Sequence, residues 1–343
     1  MGAPVVLGLD FGGSKIATAV ADLSGRRLAS RSVQTDASLG ANRNLERGVS
    51  SAKALLSEVA AGSDLVSVGA CTFGIPATNE IRLAPAIPGW GDLSLGLELA
   101  AAFGTRAVRV ATDVKAAAKA EAGSGALAGH DPALYVNLGT GLAIAIVCGG
   151  KVVSGANGAA GEIAYCLRQP ADLELARADR AVLEEVVSGM ALSATALRLT
   201  GEELTAAEIF SAEDLRLSAA IDDFVRELSF QLVNIAVALD PSRIAVGGGM
   251  TRSWPRLEGP LRAALDANVP YPPELVLGAY PFDAALVGAI ALGIEAAAAG
   301  LGDGRRDSPG GDGPNGRRGS QAQPPSDSAK RENSDRSEDR GRV

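Results

Sequence analysis

Histidine is nearly absent from this sequence: His130 is the only one in 343 residues. It lies in Ala128-Gly129-His130-Asp131-Pro132, a turn-like stretch, and reads as a surface-loop residue rather than a catalytic base. Cysteine is scarce too. Cys71, Cys148 and Cys166 are odd in number and lack paired spacing, which argues against a disulfide framework. Each sits in or beside an apolar run and reads as a buried free thiol in a reducing compartment. Phe, Trp and Tyr together make up 4% of the chain, little material for stacking on bases. The net charge of −8 gains nothing from a phosphate backbone, so no nucleic-acid partner is expected. No apolar run reaches the roughly 20 residues of a membrane helix. The Ala-rich stretch over 284–299 is interrupted by Gly288, Gly293 and Glu295. No basic-flanked secretory leader is visible before the apolar run that starts at Val5. The expectation is a soluble cytoplasmic protein with no membrane partner.

What is present suits a globular protein. Hydrophobic residues make up 47% and charged residues 21%, enough for a sizeable core, and the length is a prior for about two domains. The segment 303–343 differs in kind. It has no Leu, Ile, Phe, Tyr or Trp. It cannot bury enough apolar surface to offset its ordering entropy, so a disordered tail is expected there. Its charges are mixed in sign, which makes it a poor nucleic-acid arm.

The first 302 residues read as α/β. Strand-like runs fall at 5–10, 15–22, 27–33, 65–73, 107–111, 133–138, 142–148, 243–246 and 274–277. Helical patterns lie between them. In 219–239 the residues Phe224, Leu228, Leu232, Ile235 and Leu239 recur at helical spacing. Residues 45–59 and 113–122 are further helices. The opening order is strand, Gly-rich turn, strand, strand, helix. In a dinucleotide-binding unit the Gly-rich turn feeds a helix instead.

Two segments share one design. Asp10-Phe11-Gly12-Gly13-Ser14-Lys15 lies between the first two strand runs, and Asn137-Leu138-Gly139-Thr140-Gly141 lies between two later ones. Glycines let backbone N–H groups approach a phosphate, and Ser14 and Thr140 add hydroxyl donors. Asp10, at the end of an apolar strand, is placed to orient hydrated Mg2+. Each loop alone is also what an ordinary hairpin turn looks like. A third glycine site, Gly247-Gly248-Gly249, follows the strand run 243–246 and would let an adenosine lie against the backbone; its plain alternative is a strand-to-helix turn.

Together these residues resemble the ROK family (repressor, open reading frame, kinase), which includes bacterial glucokinases and other hexose kinases. The resemblance spans about 5–300. It also takes in Gly158-Ala159-Ala160-Gly161-Glu162-Ile163, similar to the family's Gly-rich signature before its sugar-binding glutamate. It implies an α/β actin-like ATPase (ribonuclease H-like) fold with two domains around a nucleotide cleft. The N-terminal domain would be 1–112, completed by a helix at about 285–302, and the C-terminal domain 113–284. ATP would bind Asp10, Gly12, Gly13, Ser14, Lys15, Gly139, Thr140, Gly141, Gly247, Gly248 and Gly249. Asp113 would be the catalytic base that accepts the proton of the attacking hydroxyl. A carboxylate opening a helix is also a common N-cap. Glu162 and Glu184 would hold the acceptor, with an ordinary exposed helix acid as the alternative for Glu184 and Glu185 as the neighbour easily mistaken for it. A homodimer is what the family implies. An added N-terminal helix-turn-helix, found in the family's repressors, is not expected because the first strand begins at Val5.

The departures fall in the sugar pocket. The family Asn falls on Ala86 and the family His on Tyr165. The stretch that carries the family's zinc cysteines holds only Cys166 and no histidine, so no structural zinc is expected. Loss of two hydrogen-bonding partners should change the acceptor while leaving ATP chemistry in place. The reading is an ATP-dependent kinase acting on a primary hydroxyl of a hexose-like ring, with a C7-cyclitol of valiolone or valienone type in natural-product biosynthesis as the acceptor. A hexose kinase of glucokinase, fructokinase or N-acetylhexosamine kinase type is the alternative. A non-catalytic sugar or nucleotide sensor is the alternative of another class.

Overall fold

A continuous apolar run forms the first strand, β1 (Pro4–Phe11). Both of its faces are covered. Leu7, Leu9 and Phe11 point to one core with Leu45, Ala52 and Leu55 of helix α1 (Gly40–Val59). Val6 points to the other face, against Leu286 and Ile290. A central strand with helices on both sides must be apolar at every position, and Val5–Leu9 are all buried. The computed structural model describes residues 2–176, 179 and 181–303.

β1 sits in a five-stranded sheet with β2 (Lys15–Asp22), β3 (Arg27–Gln34), β4 (Asp64–Thr72) and, after a short ribbon of β5 (Ile75–Pro76) and β6 (Ile81–Arg82) and helix α2 (Leu95–Phe103), β7 (Val108–Thr112). The order is β3-β2-β1-β4-β7. The first two pairings are antiparallel and the last two parallel. Helix α3 (Asp113–Ser124) leads to the second sheet. Its strands are β8 (Ala133–Leu138), β9 (Leu142–Cys148), β10 (Lys151–Val152), β11 (Arg243–Gly247) and β12 (Glu274–Leu277). Their order is β10-β9-β8-β11-β12, again two antiparallel pairings and then two parallel ones. The duplication visible in the two glycine loops therefore extends to whole sheets.

Helices α4 (Gly189–Thr200), α5 (Ala206–Ser211) and α6 (Leu215–Leu239) fill the long connection before β11. α7 (Trp254–Asn268) joins β11 to β12, and α8 (Ala284–Asp303) is the last described element. α6 carries Leu217, Ile221, Phe224, Leu228 and Leu232 on one buried stripe. It packs with Leu257, Leu261 and Leu265 of α7 on the second sheet. It starts four residues before the periodic run at 219 because Asp214 accepts from the Arg216 N–H as an N-cap and Leu217 extends the stripe by a turn. α8 covers the expected helix at 285–302. The expected tail over 303–343 lies outside the described residues apart from Asp303.

Two expectations need correction. Cys71 is buried, but Cys166 is half-buried and Cys148 is exposed. Cys148 is the last residue of β9, where the strand leaves its layer and turns through Gly149 and Gly150. Among the described residues no helix is long and apolar enough to cross a membrane.

α8 lies unusually close to its neighbours. A Cβ on Gly288 would stand 1.8 Å from the Ala116 carbonyl oxygen of α3, and one on Gly69 of β4 would stand 1.9 Å from the Ala289 carbonyl oxygen. Backbone meets backbone at both points, so nothing flexible can yield. Gly288→Ala is expected to destabilise the protein by about 1–3 kcal/mol through overpacking. Chemical denaturation measures it; an unchanged midpoint would show that α8 does not seat on α3 in this way.

Candidate active site

The two glycine loops occupy equivalent hairpins, β1–β2 and β8–β9. In the first, Gly12 N–H donates to the Lys15 carbonyl at 3.0 Å, and Thr35 donates its N–H to the Ser14 carbonyl at 3.0 Å and its hydroxyl to the Gly12 carbonyl at 2.7 Å. In the second, Gly139 N–H donates to the Gly141 carbonyl at 3.1 Å, Gly189 N–H to the Gly139 carbonyl at 2.9 Å and Met190 N–H to the Thr140 carbonyl at 3.3 Å. Each loop thus ties its carbonyl oxygens, the groups that would repel a phosphate, to donors of the protein. Gly13, Ser14, Lys15 and Thr140 are exposed. Gly12 is required, since a Cβ there would stand 2.9 Å from the Lys15 carbonyl oxygen, while Gly13 has open space around it.

The third glycine site adjoins the second loop. Gly247 ends β11 and pairs with Asn137 of β8. Gly248 has φ +95°, and a Cβ on it would stand 2.4 Å from the Leu138 carbonyl oxygen. A side chain at Gly247 would strike the Tyr135 hydroxyl. Gly249 then opens the turn that leads into α7.

Asp113 lies at the carboxyl end of the first sheet. Strands β1, β4 and β7 run parallel, and their registers align Asp10 with Cys71, Cys71 with Ala111 and Thr72 with Thr112. The carboxyl ends of parallel strands are where open α/β sheets place ligands. Asp113 follows Thr112 there. The N-cap of α3 is Thr112, whose hydroxyl accepts from the Lys115 N–H at 3.3 Å. This corrects the alternative reading of Asp113 as the cap. Asp113 is the first helical residue, and its Oδ1 accepts from the Val114 N–H at 2.7 Å.

Glu184 is in a short 3-10 turn, Leu183–Glu185, and is half-buried. Its Oε2 accepts from the Leu142 N–H at 2.8 Å, beside the second loop. A Cβ on Gly141 would stand 2.3 Å from that same oxygen. The exposed-helix-acid alternative is therefore wrong for Glu184; the exposed acid is Glu185. Glu162 precedes the 3-10 turn Ile163–Tyr165 and is half-buried. Tyr165 is 37% exposed. Ala86 is exposed in the turn before Trp90.

Four acids converge. Burial, and then the neighbouring Asp113 carboxylate, push Asp10 up to about 7, against the opposing pull of the Cys71 thiol and Lys15. The Cys71 thiol donates to Asp10 Oδ1 at 3.4 Å. Burial raises Asp113, and Glu184 raises it further, while the Val114 N–H holds it down. Burial raises Glu162; Lys115 lowers it, and Asp113 and Glu184 raise it. Asp113 thus acts on Asp10 and on Glu162, and Glu184 acts on Asp113 and on Glu162, although the four come from segments far apart in sequence.

Lys115, which the sequence reading does not single out, lies in the electrostatic reach of these acids. It is 7% exposed, and its Nζ donates to the Gly158 carbonyl at 2.8 Å. Burial lowers its pKa, and Glu162 and Asp113 raise it. The available signal was a lone lysine among Val114, Ala116, Ala117 and Ala118, all buried in α3. Among the described residues no group of three or more His, Cys, Asp or Glu side chains is arranged to hold a metal ion.

Two sheets of one topology, each with a glycine hairpin at the equivalent place, define the actin-like ATPase fold. The family model described as ROK family matches residues 6–295. The chain is 28% identical to a glucokinase of Streptomyces coelicolor over 75% of this chain and 86% of that protein. It is 27% identical to a kanosamine kinase of Amycolatopsis mediterranei over 75% of this chain and 84% of that one. Its structure is similar to a ROK family glucokinase from Streptomyces griseus in complex with glucose and AMPPNP, with TM-score 0.70, 27% identity and coverage of 85% of this chain and 99% of that one. The chain belongs to the ROK family. It is an ATP-dependent phosphotransferase of the sugar-kinase kind, with an alcohol group as acceptor.

The raised Asp10 gives a pH test. Its ordinary value is 3.8 and its folded value about 7, so between these the folded protein holds a proton that the unfolded chain has lost. Wild-type stability therefore falls as pH rises through that window. Without nucleotide or metal, the stability of Asp10→Asn relative to wild type should increase from about pH 4 to about pH 8. Urea unfolding at both pH values measures it; a constant difference would contradict burial of that carboxylate.

Proposed function

We propose that the protein transfers the γ-phosphate of ATP to a primary hydroxyl of a polyhydroxylated six-membered ring, with Asp113 as the general base. The convergence of Asp113 with Glu162, Glu184 and the second glycine loop carries this reading. Asp113 Oδ2 accepts the proton of the acceptor hydroxyl. The acceptor's hydroxyl oxygen bonds to the γ-phosphorus, the bond to the β–γ bridging oxygen breaks, and ADP leaves. A carboxylate pushed upward by burial is a stronger base than one in water. Glu162 and Glu184 accept from ring hydroxyls and fix the nucleophile's approach. Backbone N–H groups and hydroxyls of the Asp10–Lys15 and Gly139–Gly141 loops hold the phosphates, and Gly247, Gly248 and Gly249 leave room for adenosine.

The family resemblance implies Mg2+ with ATP. Asp10 fits as the residue that would hold it: its carboxylate is confined beside Asp113, where a cation relieves mutual repulsion. With ATP bound, the ion supplies positive charge against the phosphates.

Ala86 and Tyr165, where relatives of this type are expected to carry hydrogen-bonding Asn and His, support an acceptor other than glucose. The reading is a sugar-like C7-cyclitol of valiolone or valienone type, which fits a role in natural-product biosynthesis. A hexose or aminohexose is the second reading, supported by the glucokinase and kanosamine kinase relatives. ADP release across valiolone, valienone, glucose, kanosamine, fructose and N-acetylglucosamine separates them. Asp113→Asn should lower kcat for the best acceptor by about 10²–10⁴-fold with little change in the KM for ATP. Wild-type turnover by that variant would remove Asp113 as the base. ADP formation with none of these acceptors, despite their tight binding, would favour a sensor.

A further inference from the structure

The acceptor reading leaves one charged group without an assignment. Lys115 is a buried ammonium on the first turn of α3, two residues after Asp113. An ammonium has three N–H donors. Its one hydrogen bond among the described residues goes to the Gly158 carbonyl at 2.8 Å. No carboxylate forms an ion pair with it among the described residues, though Glu162 and Asp113 are near enough to act on its charge. Leaving buried, charged donors unpaired is costly. The two spare donors therefore call for a partner that the protein does not supply.

The position of that partner is constrained. Gly158 belongs to the turn-rich segment that delivers Glu162, with positive φ at Gly155, Gly158 and Gly161. A Cβ on Gly161 would stand 2.0 Å from the Ile144 carbonyl oxygen, so this segment is pressed onto β9. A side chain on Gly158 would meet Ile75 at 2.9 Å. The lysine thus ties the Glu162 segment to the start of α3, within electrostatic reach of the base and of the acid assigned to the acceptor. The spare N–H groups need oxygen acceptors, and an oxygen of a bound ring can take that place.

We propose that Lys115 is a specificity-determining residue of the acceptor pocket: it positions the Glu162 segment through Gly158 and donates its remaining N–H groups to an oxygen of the acceptor. This rests on the kinase reading for the identity of the pocket. The chemistry selects a neutral ring oxygen, hydroxyl or carbonyl next to the hydroxyl held by Glu162. It disfavours an ammonium substituent at that place, which would face the lysine charge.

The test uses the full chain, wild type and Lys115→Met, which keeps the length of the side chain and removes charge and donors. The probes are valiolone, valienone, glucose and kanosamine. Calorimetry measures binding, and ADP release measures kcat and KM. Lys115→Met should weaken binding of the best neutral probe by about 10- to 100-fold, the loss expected for a charge-assisted hydrogen bond. That loss should appear as a raised acceptor KM, with the KM for ATP unchanged. The preference for glucose over kanosamine should narrow. Amide exchange over 154–163 should become faster in the variant without ligand. Unchanged acceptor affinity in a folded Lys115→Met protein overturns the proposal. So does a parallel loss of ATP affinity, which would mark a general structural role. Tight binding of a probe by wild type without turnover overturns the kinase reading alone, and Lys115 is then judged by binding. Binding of none of the four probes overturns the acceptor role of Lys115.

Discussion

The site depends on how closely α8 approaches two neighbours at once. Gly288 lets it meet the backbone of α3 at Ala116, and Gly69 lets β4 meet the backbone of α8 at Ala289. Ser67 of β4 donates to the Gly293 carbonyl at 2.7 Å. Lys119 of α3 pairs with Glu295 on the outer side. α8 is therefore a common support for β4 and for the helix that starts at Asp113. Because the two glycine contacts are backbone to backbone, side-chain rearrangement cannot absorb an error in them. They set where Asp113 stands relative to Asp10, which neighbours Cys71 in the sheet.

That rigidity works against electrostatics. Asp10 and Asp113 repel, and Asp113, Glu162 and Glu184 repel in turn. Burial strengthens every one of these interactions. The compensation is local and specific. The Val114 N–H serves Asp113, the Leu142 N–H serves Glu184, the Cys71 thiol serves Asp10, and Lys115 lowers Glu162. A fold that concentrates acids in this way gives up stability for function, as strained sites in enzymes commonly do. The acids gather where four separate chain segments end, so the cost falls on tertiary packing rather than on any one element.

Much of the framework is legible in the sequence because strands covered on both faces are apolar along their length. Runs 15–22, 133–138 and 142–148 coincide with the interior strands β2, β8 and β9, and 274–277 coincides with the edge strand β12. Each is apolar and closed by a turn residue. The connecting helices were harder. α7 carries its buried stripe on only Leu257, Leu261 and Leu265, with Pro255, Gly259 and Pro260 in the same segment, and local propensity argues against it. Glu184 was found by resemblance, but its bond to Leu142 spans 42 residues and no local pattern encodes it. Lys115 looks like an ordinary solvated lysine until α3 is seen buried on nearly all sides. Cys148 failed in the opposite direction: apolar neighbours said buried, and its place at the end of β9 said exposed.

The two loops have the same topology but different anchors, and the difference matters. The first is tied down by Thr35, a single residue just past the end of β3. The second is tied down by Gly189 and Met190 at the start of α4. That helix is capped by Ser188, whose hydroxyl accepts from the Ala191 N–H at 3.0 Å. Only a few residues earlier the same segment holds Glu184, whose carboxylate accepts from Leu142 on the far side of the loop. Residues 184–190 therefore grip the Gly139–Gly141 loop from both ends while presenting an acid to Asp113. A shift of Glu184 cannot leave Thr140 where it was, because one short stretch of backbone carries both. Among the described residues the first loop has no such link: Asp36, next to its anchor, accepts from Ser38 instead. The asymmetry makes the second hairpin the place where the carboxylate cluster and the phosphate-type loop become a single mechanical unit.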